Sequence, residues 1–405
     1  MRAETTKPSP SPASNKVLGN DDLLGEILRR VDSATTLVHA ALASKRWLRA
    51  ASGRAFLRRF RERHPPRLLG FYVTGDCMPR PEFVPMPAPP GTDQNGAALR
   101  RAGSVFDEFP TFSSGIWHTR NSRVLYDFSR ALSVFHPRTF AVRDTLRHPR
   151  GAMAELPPPP AERVHAMLLP DDDEHDDATC YCVEVNHAGR IVSAEVSVPR
   201  SGAWTVLCSA RAELARPPER IPMIALLAGG KVYMVAVAGY LVAVDLAAGS
   251  LSAVELQDGA AYEYYGNLVF SQGDDASVLC LVHVAGDRLH VWRRRMDDGA
   301  GEWALRDTVS VKETCGHLVE RGSDPADGEQ LLSVSVVGVG DNAEFAFLEL
   351  GYDGKFIVVC LHLGSRRAEK VYDRHPDNDE IILVHPLFKV WPPVFPALEI
   401  TGDKI

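Results

Sequence analysis

Residues 221–256 read as four short runs, IPMIALLA (221–228), KVYMVAV (231–237), YLVAVDL (240–246) and LSAVEL (251–256). Each run is rich in apolar and β-branched residues, and glycine-containing turns separate one run from the next. Runs of this length joined by such short turns predict four antiparallel strands in a meander.

Four other stretches repeat the design less regularly, at 122–146, 179–210, 277–311 and 343–373. Repeated four-stranded meanders, spaced roughly 40–60 residues apart, are typical of a β-propeller, in which each meander is one blade. About 340 residues at about 45–55 residues per blade predict six blades. Seven blades, or a pair of β-sandwiches, stay open as alternatives because no short motif marks every repeat.

The composition predicts a folded protein with more than one domain. The chain has 405 residues, of which 45% are apolar and 24% charged. No window approaches eighteen consecutive apolar residues, which excludes a membrane-spanning helix, and the first residues lack the apolar run of a secretory signal. Seven scattered cysteines, an odd number, fit free thiols in a reducing compartment. We therefore expect a cytoplasmic or nuclear location, or both.

The N-terminal region follows a different pattern from the rest of the chain. Residues 1–16 are rich in proline, serine and threonine and predict a disordered tail. Residues 17–64 then carry a helical period, and 65–405 form the β domain. Asn20, Ser33 and Ser44 are good N-caps for three short helices, and a fourth helix is predicted after Ser52.

Residues 18–64 resemble the F-box of plant-type F-box proteins. The resemblance is carried by Asp-Asp-Leu-Leu (21–24), Glu-Ile-Leu (26–28), Lys-Arg-Trp (45–47) and Phe-Leu-Arg-Arg-Phe (56–60). Gly19 and Asp32 stand where the family often has proline. The region after it is similar to the propeller that follows many F-boxes. The resemblance implies an α+β multidomain protein: a small three-helix F-box followed by a large all-β domain, the predicted six-bladed propeller.

The resemblance also implies a function. An F-box docks on the Skp-type adaptor of a cullin–RING (SCF-type) ubiquitin ligase, so the chain would be a non-catalytic substrate receptor that presents a target protein, without a cofactor. A helical unit this small leaves apolar surface for a partner. Each apolar side chain either contacts the adaptor or forms the internal core. The residues expected at the adaptor are Leu18, Leu23, Leu24, Ile27, Leu28, Leu42 and Trp47.

Charge is unevenly distributed between the two regions. Residues 18–66 hold ten Lys/Arg and five Asp/Glu, a local charge of +5, and subtracting this from the net −7 leaves −12 for the rest. Electrostatic attraction would bring a basic module to an acidic partner, such as the adaptor, more rapidly. A weak nucleic-acid patch and a merely solvated helix face are the alternatives. The negative total argues against general nucleic-acid binding, and no specific nucleic acid is expected.

The β domain offers no motif for catalysis or for a metal ion. The acidic run 171–177 lacks the alternating ligands of a calcium loop and predicts a solvated loop. Cys180 and Cys182 fall on one face of a strand and are predicted to be core thiols. The alternative function is a propeller that binds a glycan or another small molecule, with an F-box that no longer works in a ligase. Exposed tryptophans at one mouth would favour it, and the candidates are Trp117, Trp204, Trp292 and Trp303.

Overall fold

A computed structural model describes the following residues: 20–64, 68–75, 78, 80–87, 96–107, 114–120, 122–128, 139–145, 153–160, 164–170, 179–273, 277–296, 301–319, 333–340, 343–352, 354–374, 382–388 and 395. The chain divides into two compact units. One unit comprises Met1–Arg67 together with Lys389–Ile405, and the other comprises Leu68–Phe388.

The first unit is helical and contains α1 (Asp21–Arg29), α2 (Ala34–Ala41), α3 (Lys45–Ser52) and α4 (Arg54–Arg63). The predicted caps of the first three helices are present. The Asn20 side chain accepts hydrogen bonds from the Asp22 and Leu23 backbone N–H groups, at 2.9 and 3.3 Å. The Ser33 and Ser44 hydroxyls accept from Thr36 and Trp47 in the same way. The fourth helix follows Gly53, so this region has four helices where the resemblance implied three.

A small apolar core holds these four helices together. Every helix contributes to it, and its buried members are Leu24, Leu28, Leu37, Ala41, Leu48, Ala51 and Phe60. The Phe60 ring stacks on His64, with 4.4 Å between ring centroids. Phe395, from the C-terminal segment, packs against the same core. Sequence-distant parts of the chain therefore build this unit together.

The second unit is a six-bladed β-propeller, as predicted. Blade 1 has three strands, β1 (Leu68–Gly75), β2 (Glu82–Pro85) and β23 (Ile382–Phe388). The next two blades have four strands each: blade 2 comprises β3 (Ser114–Arg120), β4 (Arg123–Phe128), β5 (Thr139–Asp144) and β6 (Met153–Glu155), and blade 3 comprises β7 (Ala166–Leu168), β8 (Tyr181–Ala188), β9 (Ile191–Arg200) and β10 (Ala203–Glu213).

The remaining three blades also have four strands each. Blade 4 comprises β11 (Ala225–Ala228), β12 (Lys231–Ala236), β13 (Tyr240–Asp245) and β14 (Ser250–Glu255). Blade 5 comprises β15 (Leu268–Gln272), β16 (Val278–Ala285), β17 (Arg288–Arg295) and β18 (Ala304–Ser310). Blade 6 comprises β19 (Ser333–Val339), β20 (Phe345–Tyr352), β21 (Lys355–His362) and β22 (Arg367–Asp373).

Two short helices interrupt the strands, and neither was predicted. Helix α5 (Gly96–Gly103) lies between β2 and β3. Helix α6 (Val311–Cys315) follows β18 and continues into one 3₁₀ turn (Gly316–Leu318). The run ALSVFHP (131–137), predicted as a strand, lies outside the described residues. Within the described ranges, no helix is long and apolar enough to cross a membrane.

The blades close into a ring through their innermost strands. Neighbouring contacts run in the order β23, β3, β7, β11, β15, β19 and back to β23. The chain enters the innermost strand of each blade from the outermost strand of the preceding blade. All six innermost strands therefore run in the same direction along the axis of the ring. Strand β23 pairs antiparallel with β1, from Phe388 opposite Leu68 to Ile382 opposite Gly75. This pairing joins the two ends of the unit and closes the ring.

Both faces of each blade are buried against a neighbouring blade. On β12, Val232 and Met234 pack into the cluster shared with blade 3, whereas Tyr233 and Val235 pack into the cluster shared with blade 5. Successive side chains of a strand point to opposite faces, so a strand buried on both sides needs apolar residues at every position. This explains the unbroken apolar runs of residues 221–256.

Candidate functional site

The apolar residues predicted to contact an adaptor separate into exposed and buried groups. Leu23, Ile27 and Leu42 are 43%, 38% and 61% exposed. Leu24 and Leu28 have no exposed surface and belong to the core of the helical unit. These two leucines have no surface to offer a partner. They take the role that was the alternative to adaptor contact and form the internal core of the helical unit.

Trp47 and Leu18 complete the predicted set. The Trp47 side chain is half-buried and packs against the core of the helical unit, leaving part of the indole accessible. Leu18 lies outside the described residues. The accessible candidates are therefore Leu23, Ile27, Leu42 and Trp47.

Helix geometry explains the division within α1. Residues four positions apart are neighbours on a helix surface, so Leu23 and Ile27 form one pair and Leu24 and Leu28 form the adjacent pair. Leu24 and Leu28 face the core, whereas Leu23 and Ile27 lie at the edge of the apolar side of α1 and are in solvent. Leu23 and Ile27 therefore place two large apolar side chains next to each other on the exposed surface of α1.

Ion pairs on the surface of the helical unit add little to its stability. Arg46 on α3 forms a salt bridge with Asp21 at the start of α1, at 2.6 Å. Glu26 pairs with Arg29 and Arg30 along α1. Exposed pairs of this kind contribute only about 0.2–1 kcal/mol each. The buried leucines and Phe60 therefore hold α1 in place.

Asp32 occupies the turn between α1 and α2. A hydrogen bond from the Thr36 side chain lowers the pKa of the Asp32 carboxyl below its ordinary value, and backbone and Ser33 hydrogen bonds act in the same direction. Ser33 itself caps α2. The Asp32 carboxylate and the Ser33 hydroxyl, by accepting hydrogen bonds, thus organise the turn at the position where the family often has proline.

A cavity of about 600 Å³ occupies the centre of the propeller. Its walls come from the inner strands of blades 1, 2, 4, 5 and 6 and from the segments that lead into them. Most lining side chains are apolar, among them Leu226, Val269, Val336 and Phe388. The polar lining side chains are His118, Thr119, Arg120, Tyr265, Ser271, Gln272 and His385.

A β-bulge on the inner strand of blade 2 sets the direction of the side chains that follow it. The register between β3 and β4 shifts between Ile116 and His118, so Trp117 is the extra residue. The Trp117 ring packs against Phe140, with 5.5 Å between centroids. Bulges of this kind re-aim side chains and are frequent beside binding sites. Here the bulge immediately precedes His118, Thr119 and Arg120.

Hydrogen bonds tie these three side chains to other blades. The Leu169 backbone N–H donates to Nδ1 of His118 at 3.1 Å, and the Thr119 hydroxyl donates to the Pro386 carbonyl at 3.0 Å. Arg120 donates to the Leu227 carbonyl at 3.3 Å and to Oε1 of Gln272. On the closing strand, Nε2 of His385 lies 3.1 Å from the Thr74 hydroxyl. The polar lining is thereby fixed by contacts among five blades.

Both cavity histidines are neutral near pH 7. Burial lowers the pKa of His118 to about 3, with smaller contributions from the charges of Arg120, His385 and Arg123. Burial alone lowers the pKa of His385 to about 4. Because Nδ1 of His118 accepts a hydrogen bond from a backbone N–H, its neutral ring carries the proton on Nε2.

The tryptophans named as glycan-binding candidates lie within the blades. Trp303 is buried and donates from Nε1 to the Glu255 carbonyl at 2.8 Å, and Trp204 donates to the Pro157 carbonyl at 3.1 Å. Trp292 is partly buried in the cluster between blades 4 and 5. Among the tryptophans that the structure describes, none is exposed, and of the four candidates Trp117 is the one that lines the central cavity.

The two cysteines considered as metal ligands pack in the core of the propeller. Cys180 and Cys182 share one apolar cluster, whereas Tyr181 between them points into another, as expected for a strand. Burial raises the pKa of the Cys182 thiol to about 12, so the thiolate is disfavoured. The acidic run 171–177 lies outside the described residues. Within the described part of the chain, no group of three or more His, Cys, Asp or Glu could hold a metal ion.

The polar residues of the cavity were not predicted from local sequence patterns. His118, Arg120, Gln272 and His385 are far apart in the chain, and only the closed ring brings them together. A usable signal was present in each strand: polar or charged residues at the end of a short apolar run, in SGIWHTR (114–120) and LVFSQ (268–272). Such residues mark where an inner strand leaves the blade core and reaches the channel.

These features define a six-bladed β-propeller protein with a separate helical unit. A family described as "F-box protein AT5G49610-like, beta-propeller" matches residues 115–395. The match covers more than half of the chain, and the chain belongs to this family. Because the match begins inside β3, it does not include helices α1 to α4, and the F-box at residues 18–64 stays a prediction. No curated protein sequence matches the chain.

Solved structures with a related arrangement have little sequence in common with this chain. TolB from Acinetobacter baumannii is 10% identical, with a TM-score of 0.41, covering 87% of this chain and 72% of TolB. A protein from Lactobacillus plantarum is 11% identical, with a TM-score of 0.36, covering 75% of this chain and 82% of that protein. We draw no functional argument from similarities at this level.

Proposed function

We propose that this protein is a substrate receptor of an SCF-type ubiquitin ligase. The helical unit docks on a Skp-type adaptor, which connects the chain to a cullin, and the propeller presents a target protein. The chain performs no catalysis itself. It raises the effective concentration of the target near the ubiquitin-transferring subunits.

The observation that carries this proposal is the exposure of Leu23, Ile27 and Leu42 on the helical unit of a protein from an F-box propeller family. Exposure of large apolar side chains to water costs free energy, and contact with a partner removes this cost. A few such side chains commonly dominate the binding energy of an interface. The excess of Lys and Arg in residues 18–66 complements an acidic partner and increases the rate of encounter.

The direct test measures the affinity of the full chain for a purified Skp-type adaptor by calorimetry. The test variant combines Leu23→Gln with Ile27→Gln on α1. These changes remove apolar contact area without adding charge, and glutamine is compatible with a helix. We expect the affinity to fall at least tenfold while the far-ultraviolet circular dichroism stays unchanged. The adaptor complex of the wild-type chain should also capture the cullin.

A matched control changes two exposed apolar residues of the propeller in the same way. Ile191→Gln with Val206→Gln alters side chains that are 39% and 50% exposed on blade 3. This variant should bind the adaptor with wild-type affinity. Adaptor affinity that stays within threefold of wild type in the Leu23/Ile27 variant contradicts the proposal.

A further inference from the structure

The central cavity of the propeller has two different ends. Because all six inner strands run in the same direction, their last residues meet at one mouth of the channel. Arg120 ends β3 and Gln272 ends β15, so both lie at that mouth. Met223 and Tyr265 also line the cavity but precede β11 and β15, which places them at the opposite mouth. The cavity is therefore polar at one end and largely apolar along its length.

Arg120 extends across the polar end. Its guanidinium belongs to blade 2 but donates hydrogen bonds to Leu227 in blade 4 and to Gln272 in blade 5. In the ring, blade 5 lies opposite blade 2, so a side chain that joins them crosses the channel. The guanidinium thus forms part of the floor of a well whose open mouth lies near Met223.

The floor of this well is rich in hydrogen-bond donors. The Gln272 carbonyl oxygen accepts from Arg120, which leaves its amide group as a donor. The His118 ring carries its proton on Nε2, because Nδ1 accepts from Leu169. A ligand that presents oxygen acceptors suits such a floor.

The charge of the lining favours an anion over a cation. Arg120 is the formally charged side chain among the described lining residues, and these residues include no aspartate or glutamate. His118 and His385 are neutral. A guanidinium forms charge-assisted hydrogen bonds with a carboxylate and matches its planar geometry.

We propose that this well binds an apolar organic molecule whose terminal carboxylate lies at the Arg120–Gln272 end. The cavity volume of about 600 Å³ is in the usual range for small-molecule sites, roughly 300–1,000 Å³. The carboxylate belongs either to a free small acid or to the C-terminus of a polypeptide, since both present the same group. This site is independent of adaptor docking and is tested on the chain alone.

The experiment uses three probes with the same apolar body: phenylacetate, the neutral phenylacetamide and the cationic phenethylammonium ion. Saturation-transfer NMR detects binding to the full chain, and titration gives the affinities. We expect phenylacetate to bind at least tenfold more tightly than the amide, and the cation to bind most weakly. Equal affinity for all three, or no binding of phenylacetate at millimolar concentration, overturns the proposal.

Two substitutions locate the site. Gln272→Glu keeps the size of the side chain and its hydrogen bond with Arg120, but neutralises the charge at the floor, so the preference for the acid should disappear. Arg120→Gln removes the guanidinium and should weaken phenylacetate binding at least tenfold. Arg367→Gln, at a side chain that is 72% exposed on β22, is the matched control and should leave affinity unchanged. Retained acid preference in both cavity variants overturns the proposal, and Gln272→Glu keeps that test available if Arg120→Gln fails to fold.

A further pair of probes identifies the source of the carboxylate. A tetrapeptide that ends in phenylalanine is compared in its free-acid and C-terminally amidated forms. Tighter binding of the free-acid peptide supports a polypeptide terminus as the ligand. Binding of phenylacetate alone supports a free small acid. In the adaptor assay described above, the Gln272→Glu variant should behave as wild type, which separates the failure of one proposal from the failure of the other.

Discussion

His118 and His385 make the stability of the propeller depend on pH. The pKa of each is lowered in the folded state, to about 3 and about 4. Between these values and the ordinary histidine pKa of about 6.5, the unfolded chain binds a proton that the folded chain does not. Stability is therefore complete above about pH 6.5 and is lost as the pH falls. We expect each histidine to lower the unfolding free energy by about 1–2 kcal/mol between pH 7 and pH 5.

Urea unfolding of the wild type and of His118→Gln at both pH values tests this expectation. Glutamine cannot be protonated, and its side-chain oxygen can accept the Leu169 N–H. The variant should lose less stability on acidification than the wild type, by about the contribution of one histidine. An equal loss in both proteins would show that His118 is not the group that binds the proton.

A buried ion pair in blade 6 is a second residue-scale feature with a measurable effect. Nη1 of Arg374 lies 3.1 Å from Oε2 of Glu349, and the two side chains are only 4% and 9% exposed. The guanidinium also lies 4.4 Å above the Phe356 ring. Burial raises the pKa of Glu349, and the charge of Arg374 opposes that shift. Removing one partner from such a pair leaves an uncompensated buried group.

Arg374→Met should lower the unfolding free energy by about 3–5 kcal/mol, the usual cost of breaking a buried pair. Arg374→Met combined with Glu349→Leu should recover part of this loss, because neither charge then remains buried. The exposed pair of Arg190 with Glu213 provides the control, and Arg190→Met should change stability by about 1 kcal/mol or less. A double variant less stable than Arg374→Met alone would contradict this interpretation.

At the scale of single elements, local patterns predicted some parts well and others poorly. The helices of the first unit were predictable because Asn20, Ser33 and Ser44 stand directly before them. Strands with both faces in blade cores, such as β12 and β13, were predictable because all their residues except one charged residue at one end of each are apolar. The innermost strands were harder to predict, since β3 and β15 mix apolar residues with the polar ones that face the channel.

The helix period also left the role of individual leucines undecided. Leu23, Leu24, Ile27 and Leu28 belong to one broad apolar stripe, and a stripe of that width includes residues on both sides of the core boundary. Only packing against α3 and α4 determines that Leu24 and Leu28 are inside. The cavity depends still more on tertiary structure, because its polar side chains come from separate blades.

At the scale of the whole molecule, the C-terminal strand determines whether the propeller closes. Strand β23 lies between β1 and the channel and contacts both β19 and β3. At its contact with β19, a side chain at Gly338 would come within 2.6 Å of the Val384 carbonyl oxygen, so glycine permits the close approach. Loss of β23 would leave the edges of β1, β3 and β19 without this strand.

Two truncations separate the roles of the C-terminal residues. A chain that ends after residue 381 lacks β23 and should lose its near-ultraviolet circular dichroism and its cooperative unfolding transition. A chain that ends after Phe388 keeps β23 and should retain both, while its helical unit unfolds more readily because Phe395 is absent. Native-like compactness of the shorter chain in size-exclusion chromatography would argue against closure through β23.

The pairing of β1 with β23 also has a consequence for the timing of biosynthesis. Thr74 and His385, which are hydrogen-bonded across this closure, are 311 residues apart. A nascent chain emerges from its N-terminus, and domains fold as units once their sequence is available. Helices α1 to α4 emerge before the propeller strands, whereas β1 waits for its partner until β23 has been made. A translation product interrupted before β23 would therefore carry the exposed apolar residues of the helical unit, which we propose dock an adaptor, without a closed propeller.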